Sequence, residues 1–294
     1  MLYGIQYRQG RIAMKKGLVL EGGAMRGMFT AGVMDVLMEN NIEFDGAVGV
    51  SAGAVFGCNY KSKQIGRAIR YNKKFCKDKR YGGFGVLLKT GDYYSREFCY
   101  EVVPTQYDVF DHDTYEQNPM EFHVVATDIE TGKPVYHVHQ GRNDHSFEWL
   151  RASASMPFVS NIVEIDGVKM LDGGVADSIP IRYFQEIGYD KNIIVLTQPY
   201  DYRKNPNKLI PLAKLKYKKY PEFIETMANR HNHYNETLDY ILEQEAAGNV
   251  LVIRPKTALP VKRTEKDPEK LEIAYQMGRQ VATERLEEII KYLD

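Results

Sequence analysis

The sequence predicts an α/β protein, and three neighbouring segments carry that class. Residues 17–21 (GLVLE) form a short apolar run that stops at Gly22-Gly23, as a buried strand running into a loop does. From Met28 to Asn40 the residues Phe29, Val33, Val36 and Leu37 recur at helical spacing, and Asn40-Asn41 supply a stop. Residues 47–50 are a second apolar run. Strand, helix and strand within about forty residues fit a βαβ unit, in which a right-handed crossover joins parallel strands.

Further along, residues 122–129 and 134–138 flank Thr131-Gly132-Lys133 and read as a hairpin whose glycine takes the positive φ of the turn. Gly132-Lys133 lacks the upstream glycine and the following Ser or Thr of a phosphate-binding loop, so the plain turn stands. Residues 192–196 and 250–253 are expected to be buried strands. Residues 271–293 are expected to form one long amphipathic helix carrying Ile273, Met277, Val281, Leu286 and Ile290. There is no internal repeat and no Pro/Ser/Gly-rich linker, so residues 1–294 are expected to make a single domain.

Composition is that of a soluble globular protein. The 39 basic and 39 acidic residues among 294 cancel, which leaves no overall field to draw in nucleic acid or acidic ligands. The first sixteen residues lack the apolar stretch of roughly 7 to 15 residues that a secretory signal needs, so no export is expected. The uncharged segment 46–58 is glycine-rich and shorter than the roughly 18 apolar residues of a spanning helix. Cys58, Cys76 and Cys99 are odd in number and form no CxxC pair, which speaks against a disulfide framework or a zinc site and for a reducing cytoplasm.

Gly49-Val50-Ser51-Ala52-Gly53 is a G-x-S-x-G set after a predicted strand and before a small-residue segment able to start a helix. A strand turning sharply into a helix crowds Cβ atoms, so the serine needs glycine neighbours, and the strained turn holds its oxygen clear. The helix start also offers free N–H groups where negative charge develops. The competing reading is a Gly/Ala-rich crossover in which Ser51 only caps the helix.

Gly22-Gly23-Ala24-Met25-Arg26-Gly27 ends the preceding strand, where the loops of a parallel sheet gather. Consecutive glycines there can aim several N–H groups at one point, as an oxyanion hole or a phosphate cradle requires. The spacing misses G-x-G-x-x-G, which argues against a dinucleotide site, and a plain flexible turn leaves Arg26 unaccounted for. Asp172-Gly173-Gly174 follows the apolar residues 168–171 and precedes Asp177 and Pro180, which are expected to cap and open a helix. By itself Asp-Gly-Gly is usually only a turn.

Taken together, LVLEGGAMRG, GVSAG, ASASMPF at residues 152–158 and DGG resemble, in order and approximate spacing, the patatin-like phospholipase family, most closely its bacterial cytoplasmic members. The four blocks span roughly residues 16–185 and are jointly far more specific than any one of them. The resemblance implies a patatin-like three-layer fold, a mainly parallel sheet flanked by helices, with a Ser-Asp dyad and no catalytic histidine. By position it makes Ser51 the nucleophile, Asp172 the base, the backbone of Gly22, Gly23 and Ala24 the oxyanion hole, and Arg26 an anion- or substrate-binding residue. Ala24 stands where the family more often has a third glycine, and a positive φ there would cost about 1 kcal/mol. The implied activity is hydrolysis of lipid or small carboxylic esters, of phospholipase A, lysophospholipase or carboxylesterase type, without a cofactor. Ser51 would attack the carbonyl while Asp172 takes its proton, the loop amides hold the oxyanion, and water later releases the acyl group.

Two other readings compete. One is an α/β-hydrolase-type Ser-Asp-His triad, because His231 and His233 follow Asp172 in the chain order of those enzymes. Against it, Ile224, Met227, His231, Tyr234, Leu238 and Ile241 form a helical stripe, which makes His231 a packed residue and His233 a solvent-facing one. The other is a catalytically silent lipid-binding protein of the same fold, against which the presence of both Ser51 and Asp172 argues. His112, His123, His137, His139 and His145 lie upstream without H-x-x-x-H spacing on a helix, so no metal is expected.

Residues 203–219 carry seven basic residues and no acid among Leu209, Ile210, Leu212 and Leu215, and residues 61–80 carry nine against Asp78. Either segment could rest transiently on an anionic membrane surface or be a solvated face, and Pro206 and Pro211 interrupt the first.

Overall fold

The strands are Lys15–Leu20 (β1), Gly46–Val50 (β2), Glu121–Asp128 (β3), Pro134–Val138 (β4), Val163–Ile165 (β5), Val168–Asp172 (β6), Tyr189–Val195 (β7) and Val250–Ile253 (β8). The helices are Gly27–Glu39 (α1), Ala52–Lys61 (α2), Arg67–Phe75 (α3), Phe84–Thr90 (α4), His112–Gln117 (α5), Glu148–Ser153 (α6), Ile181–Glu186 (α7), Ile210–Lys216 (α8), Pro221–Ala246 (α9), Pro268–Glu284 (α10) and Leu286–Leu293 (α11), with a π-helical stretch at Phe98–Tyr107. This computed structural model describes residues 14–145 and 147–294, so most of the segment on which the expectation of no export signal rests lies outside the described residues.

Alternation along the strands sets the layers. Leu18 and Leu20 of β1 turn to one face of the sheet and join Phe29 and Val33 of α1, Phe56 of α2 and Leu271 and Tyr275 of α10. Val19 turns to the other face and joins Ile181 and Phe184 of α7 with Leu238 and Ile241 of α9. Helices thus cover both faces of one eight-stranded sheet, ordered β5-β6-β3-β2-β1-β7-β8, with β4 on β3. β1 pairs in parallel with β2 and β7, β2 with β3, and β7 with β8, while β4, β5 and β6 run antiparallel to their neighbours. The β1-α1-β2 unit and the hairpin of β3 and β4, with Gly132 at φ 68°, are as the sequence predicts.

One feature of this sheet positions the site. β3 carries β2 along residues 121–125 and β4 along 123–127. Because β4 occupies the opposite edge, β6 must pair with residues 126–128 on the edge that β2 has just left. Val50 lies beside Val125 and Asp172 beside Ala126, so a parallel strand and an antiparallel strand meet end to end. Ser51 and Asp172, 121 residues apart in sequence, are the residues at that junction.

Three sequence expectations need correction. The helix over 271–293 breaks at Arg285, at φ −109°, whose guanidinium turns back to the carbonyl of Val252 at the end of β8 and to Glu288. The buried face of α10 matches the expected one only in part. Leu271, Ala274, Tyr275, Gly278, Val281 and Ala282 are buried, while Ile273 is 51% exposed, because the small residues let α10 lie close against α1. Tyr275 Oη seals that contact by donating to the buried Asp35 at 2.7 Å. Asp177, in turn, does not cap α7; its carboxylate accepts from Tyr136 Oη at 2.8 Å and from the Ile179 amide, and Pro180 alone precedes the helix.

Candidate active site

Ser51 sits between β2 and α2 with φ 55° and ψ −121°, a conformation that costs a non-glycine residue about 1–3 kcal/mol and persists only where its surroundings enforce it. The enforcement is steric and polar. A Cβ on Gly53 would fall 2.3 Å from the carbonyl oxygen of Leu20, so only glycine lets α2 start this close to β1. The Ser51 amide donates to Ser153 Oγ at 2.9 Å, and Ser153 Oγ donates onward to the Val125 carbonyl at 2.6 Å, which ties the turn to β3. Ser51 makes no side-chain capping bond to α2, so the reading of it as a mere helix cap does not hold. Its Oγ donates instead to Asp172 Oδ2 at 2.7 Å.

Asp172 is 6% exposed, and its second oxygen, Oδ1, accepts from the Gly174 amide at 2.8 Å. The glycine after it is dictated by the strand junction, since a Cβ on Gly173 would lie 2.1 Å from the Val125 carbonyl oxygen. Burial pushes the Asp172 carboxyl above the ordinary carboxylate range, and the guanidinium of Arg230, the Ser51 hydroxyl and the Gly174 amide pull it partly back.

The glycine loop lies against this pair. A Cβ on Gly22 would come within 3.1 Å of Ser51 Cβ, and Gly22, Gly23, Ala24, Ser51 and Asp172 line one cavity. The amides of Gly22, Gly23 and Ala24 donate to no group among the described residues, whereas those of Glu21 and Met25 on either side are bonded to Val195 and Arg263. Ala24 takes φ 48°, a positive φ that is strained for a non-glycine residue. Arg26 lines the same cavity.

Ser51, Ala24 and Met156 also border a second cavity, walled by Met25, Val55, Phe56, Tyr71, Val103 and Leu150 among others. Ser51 therefore stands between an apolar chamber and a polar one. Neither histidine downstream of Asp172 bonds to Ser51 or Asp172. His231 lies in the wall of the polar cavity but gives its Nδ1 hydrogen to the Ala228 carbonyl at 3.0 Å, and His233 is exposed beside Asp177. Upstream, His137 stacks on Trp149 and bonds Asp144 at 2.6 Å, and His123 bonds Tyr183. Among the described residues no three His, Cys, Asp or Glu side chains gather to hold a metal.

Comparison with known proteins adds to this geometry. The sequence model of the family described as Patatin-like phospholipase matches residues 18–184, more than half of the chain. The chain belongs to the patatin-like phospholipase family. A second model, a domain of unknown function (DUF6363), matches residues 220–294. Curated relatives include the Escherichia coli uncharacterized protein YjjU, 29% identical over 66% of this chain and 54% of its own length. A Mycobacterium tuberculosis protein described as an uncharacterized NTE family protein is 26% identical over 64% of this chain and 50% of its own length. Lysophospholipase nte1 of Aspergillus fumigatus is 27% identical over 59% of this chain and 11% of its own length. The chain thus spans about half the length of the bacterial relatives it matches. Among solved structures, VipD from Legionella pneumophila aligns with 92% of this chain and 67% of its own at a TM-score of 0.42 and 12% identity.

Within the patatin-like region sequence reasoning overlooked Ser153, although it lies in the ASAS block whose backbone also steadies Asp172: the Asp172 amide donates to the Ser155 carbonyl at 2.8 Å. Beyond that region it overlooked Lys204, Arg230 and Arg263, which line the polar cavity. Arg230 had a readable signal. It falls three residues after Met227 and four before Tyr234, on the buried stripe of α9, where a cation needs a reason to be.

Proposed function

We propose that this chain is a serine hydrolase of lipid acyl esters, with Ser51 as nucleophile and Asp172 as base, working as a single domain. The carrying observation is the direct 2.7 Å hydrogen bond from Ser51 Oγ to Asp172 Oδ2, which sets the base at the distance over which the proton must move. The apolar cavity receives the acyl chain and brings its ester carbonyl to Ser51. As Oγ attacks, its proton passes to Asp172, and the unengaged amides of Gly22, Gly23 and Ala24 stabilise the oxyanion. The alcohol leaves with the proton from Asp172, forming acyl-Ser51. Water, deprotonated by the same carboxylate, then releases the fatty acid and restores the hydroxyl. A carboxylate is a weaker base than imidazole; burial narrows the gap by raising the proton affinity of Asp172.

The test needs no known substrate. A fluorophosphonate probe should modify the folded wild-type protein once, and peptide mapping should place the label on Ser51. Folded protein that takes no label, or takes it elsewhere, would overturn the nucleophile assignment.

Among the described residues no helix is long and apolar enough to cross a membrane. We place the protein in the cytoplasm, meeting lipid at a membrane surface through α8. There Leu209, Leu212 and Leu215 are 50%, 48% and 73% exposed among Lys208, Lys214 and Lys216, and Leu209 borders the polar cavity. Pro211 falls in the first turn of α8, where it does not interrupt the helix. The segment 61–80 suits this task less well, because Arg67 is buried on Asn59 and Asp108, Arg70 pairs with Asp108, and Lys73 with Glu272. Replacing Leu212 and Leu215 together by Asp should cut co-sedimentation with anionic vesicles several-fold. Undiminished binding would move the contact to another face.

A further inference from the structure

The cavity on the polar side of Ser51 is positively charged. Arg26 from the glycine loop, Lys204 and the exposed Lys208 from the β7–α8 connection, Arg230 from α9 and Arg263 from the β8–α10 connection all line it, and Asp172 is the one carboxylate in its wall among the described residues. None of the five has an ion-pair partner there among the described residues. The Nε atoms of Arg26 and Arg230 are sealed from solvent and bond to nothing among the described residues. Among the described residues Arg230 otherwise makes only a 3.4 Å bond to Ser178 Oγ, and the Lys204 ammonium rests 4.2 Å from the centre of the Tyr234 ring.

Like charges gathered round a hollow, with donors unused, are costly unless an anion completes them. Glu21 supplies part of the balance from behind, held by Thr197 and Tyr234. With Asp172 it offsets two of the five cations. Burial foremost, then Arg230, Arg263 and Arg26, bring Lys204 down to about 7 against the pull of Glu21.

We propose that this cavity is a phosphate site for the alcohol half of the substrate, so that the protein prefers acyl esters whose alcohol carries a phosphate over neutral acyl esters. The proposal rests on the reading of Ser51 as nucleophile. With the apolar chamber taken by the acyl chain, the alcohol side of the scissile ester falls into the cationic cavity. The net excess of positive charge suits a phosphate monoester, and guanidinium forks match its oxygens in pairs. Arg230 and Arg263 lie in residues 220–294, matched by the domain of unknown function, and the Arg263 carbonyl accepts from the Met25 amide at 3.4 Å. The role assigned to that region is to complete the headgroup side of a site whose reacting residues lie in 18–184.

The experiment compares monooleoyl glycerophosphate with monooleoylglycerol, which share the acyl chain. Wild-type kcat/KM should favour the phosphate ester by at least about tenfold. Arg230→Gln should lower that ratio by about ten- to hundredfold, as for loss of a hydrogen bond to a charged group, and the exposed Arg263→Gln by less. Arg263→Lys should recover part of it. The ratio is the readout because Arg230 also acts on Asp172 and so alters turnover of both esters. In parallel, glycerol 3-phosphate should bind Ser51→Ala protein by calorimetry, less so when Arg230→Gln is added, and inorganic phosphate should be displaced by monooleoyl glycerophosphate. Ser51-dependent hydrolysis of both esters at a ratio near one, without glycerol 3-phosphate binding, would overturn the phosphate site and leave the hydrolase reading intact. Inorganic phosphate that the lipid fails to displace would assign the cavity to a free anion and overturn the substrate preference. Phosphate binding with no Ser51-dependent turnover or labelling would bring down the hydrolase reading and the preference built on it.

Discussion

Ser51→Ala is expected to lower turnover of a p-nitrophenyl ester by roughly four to six orders of magnitude while leaving the protein folded. The activity loss follows from removing the attacking oxygen itself, for which water in the same cavity is a poor substitute. The fold survives because the turn at Ser51 is imposed by the backbone: the Gly53–Leu20 approach and the Ser153 clamp do not involve the hydroxyl. Two smaller effects should appear in thermal unfolding. Asp172 Oδ2 loses its 2.7 Å donor, which costs about 1–2 kcal/mol for a buried carboxylate, and φ 55° remains as strained for alanine as for serine. Ser51→Gly, equally inactive, should melt higher than Ser51→Ala, since glycine adopts that conformation without strain. If Ser51→Ala retains more than about a hundredth of wild-type turnover, ester hydrolysis does not run through this side chain.

The motifs were legible because each is enforced by contacts a few residues away. GVSAG and DGG carry glycines at positions where a Cβ would strike the backbone of β1 or β3, so their spacing reports the local turn directly. That the two motifs face each other was not written in either one. It depends on β2 and β6 sharing an edge of β3, a long-range pairing that only the resemblance of the ordered blocks implied. The cationic cavity was less legible still, since its five cations come from four separate loops and helices, and scattered charges in a chain without net charge look like surface. The break at Arg285 was hidden for a related reason. The apolar period continues through it, and what stops the helix is a tertiary bond to the Val252 carbonyl.

Asp172→Asn separates a two-residue mechanism from a triad, and it should lower turnover by roughly three to four orders of magnitude, by analogy with loss of a triad member. An amide fills the same space and its oxygen can still accept from Gly174, but it cannot take the proton of Ser51. His231→Ala and His233→Ala should keep activity near wild type once rates are divided by the folded fraction. His231 gives up a bond to the Ala228 carbonyl, a change worth up to about 1–3 kcal/mol of stability, and His233 is exposed. The pH profile adds an independent sign. Turnover requires ionised Asp172, so it should rise with pH along one limb whose midpoint lies above the ordinary carboxylate range, because burial raises that carboxyl. Stability should move the other way across the same window. There the unfolded chain has already released this proton while the folded protein still holds it, so Asp172 makes folding less favourable as pH climbs to its raised value, and the contribution levels off above it. Asp172→Asn should lose that slope, whereas neither histidine variant should alter it. A folded His231→Ala or His233→Ala protein as inactive as Ser51→Ala would make that histidine the base and reduce Asp172 to orienting it.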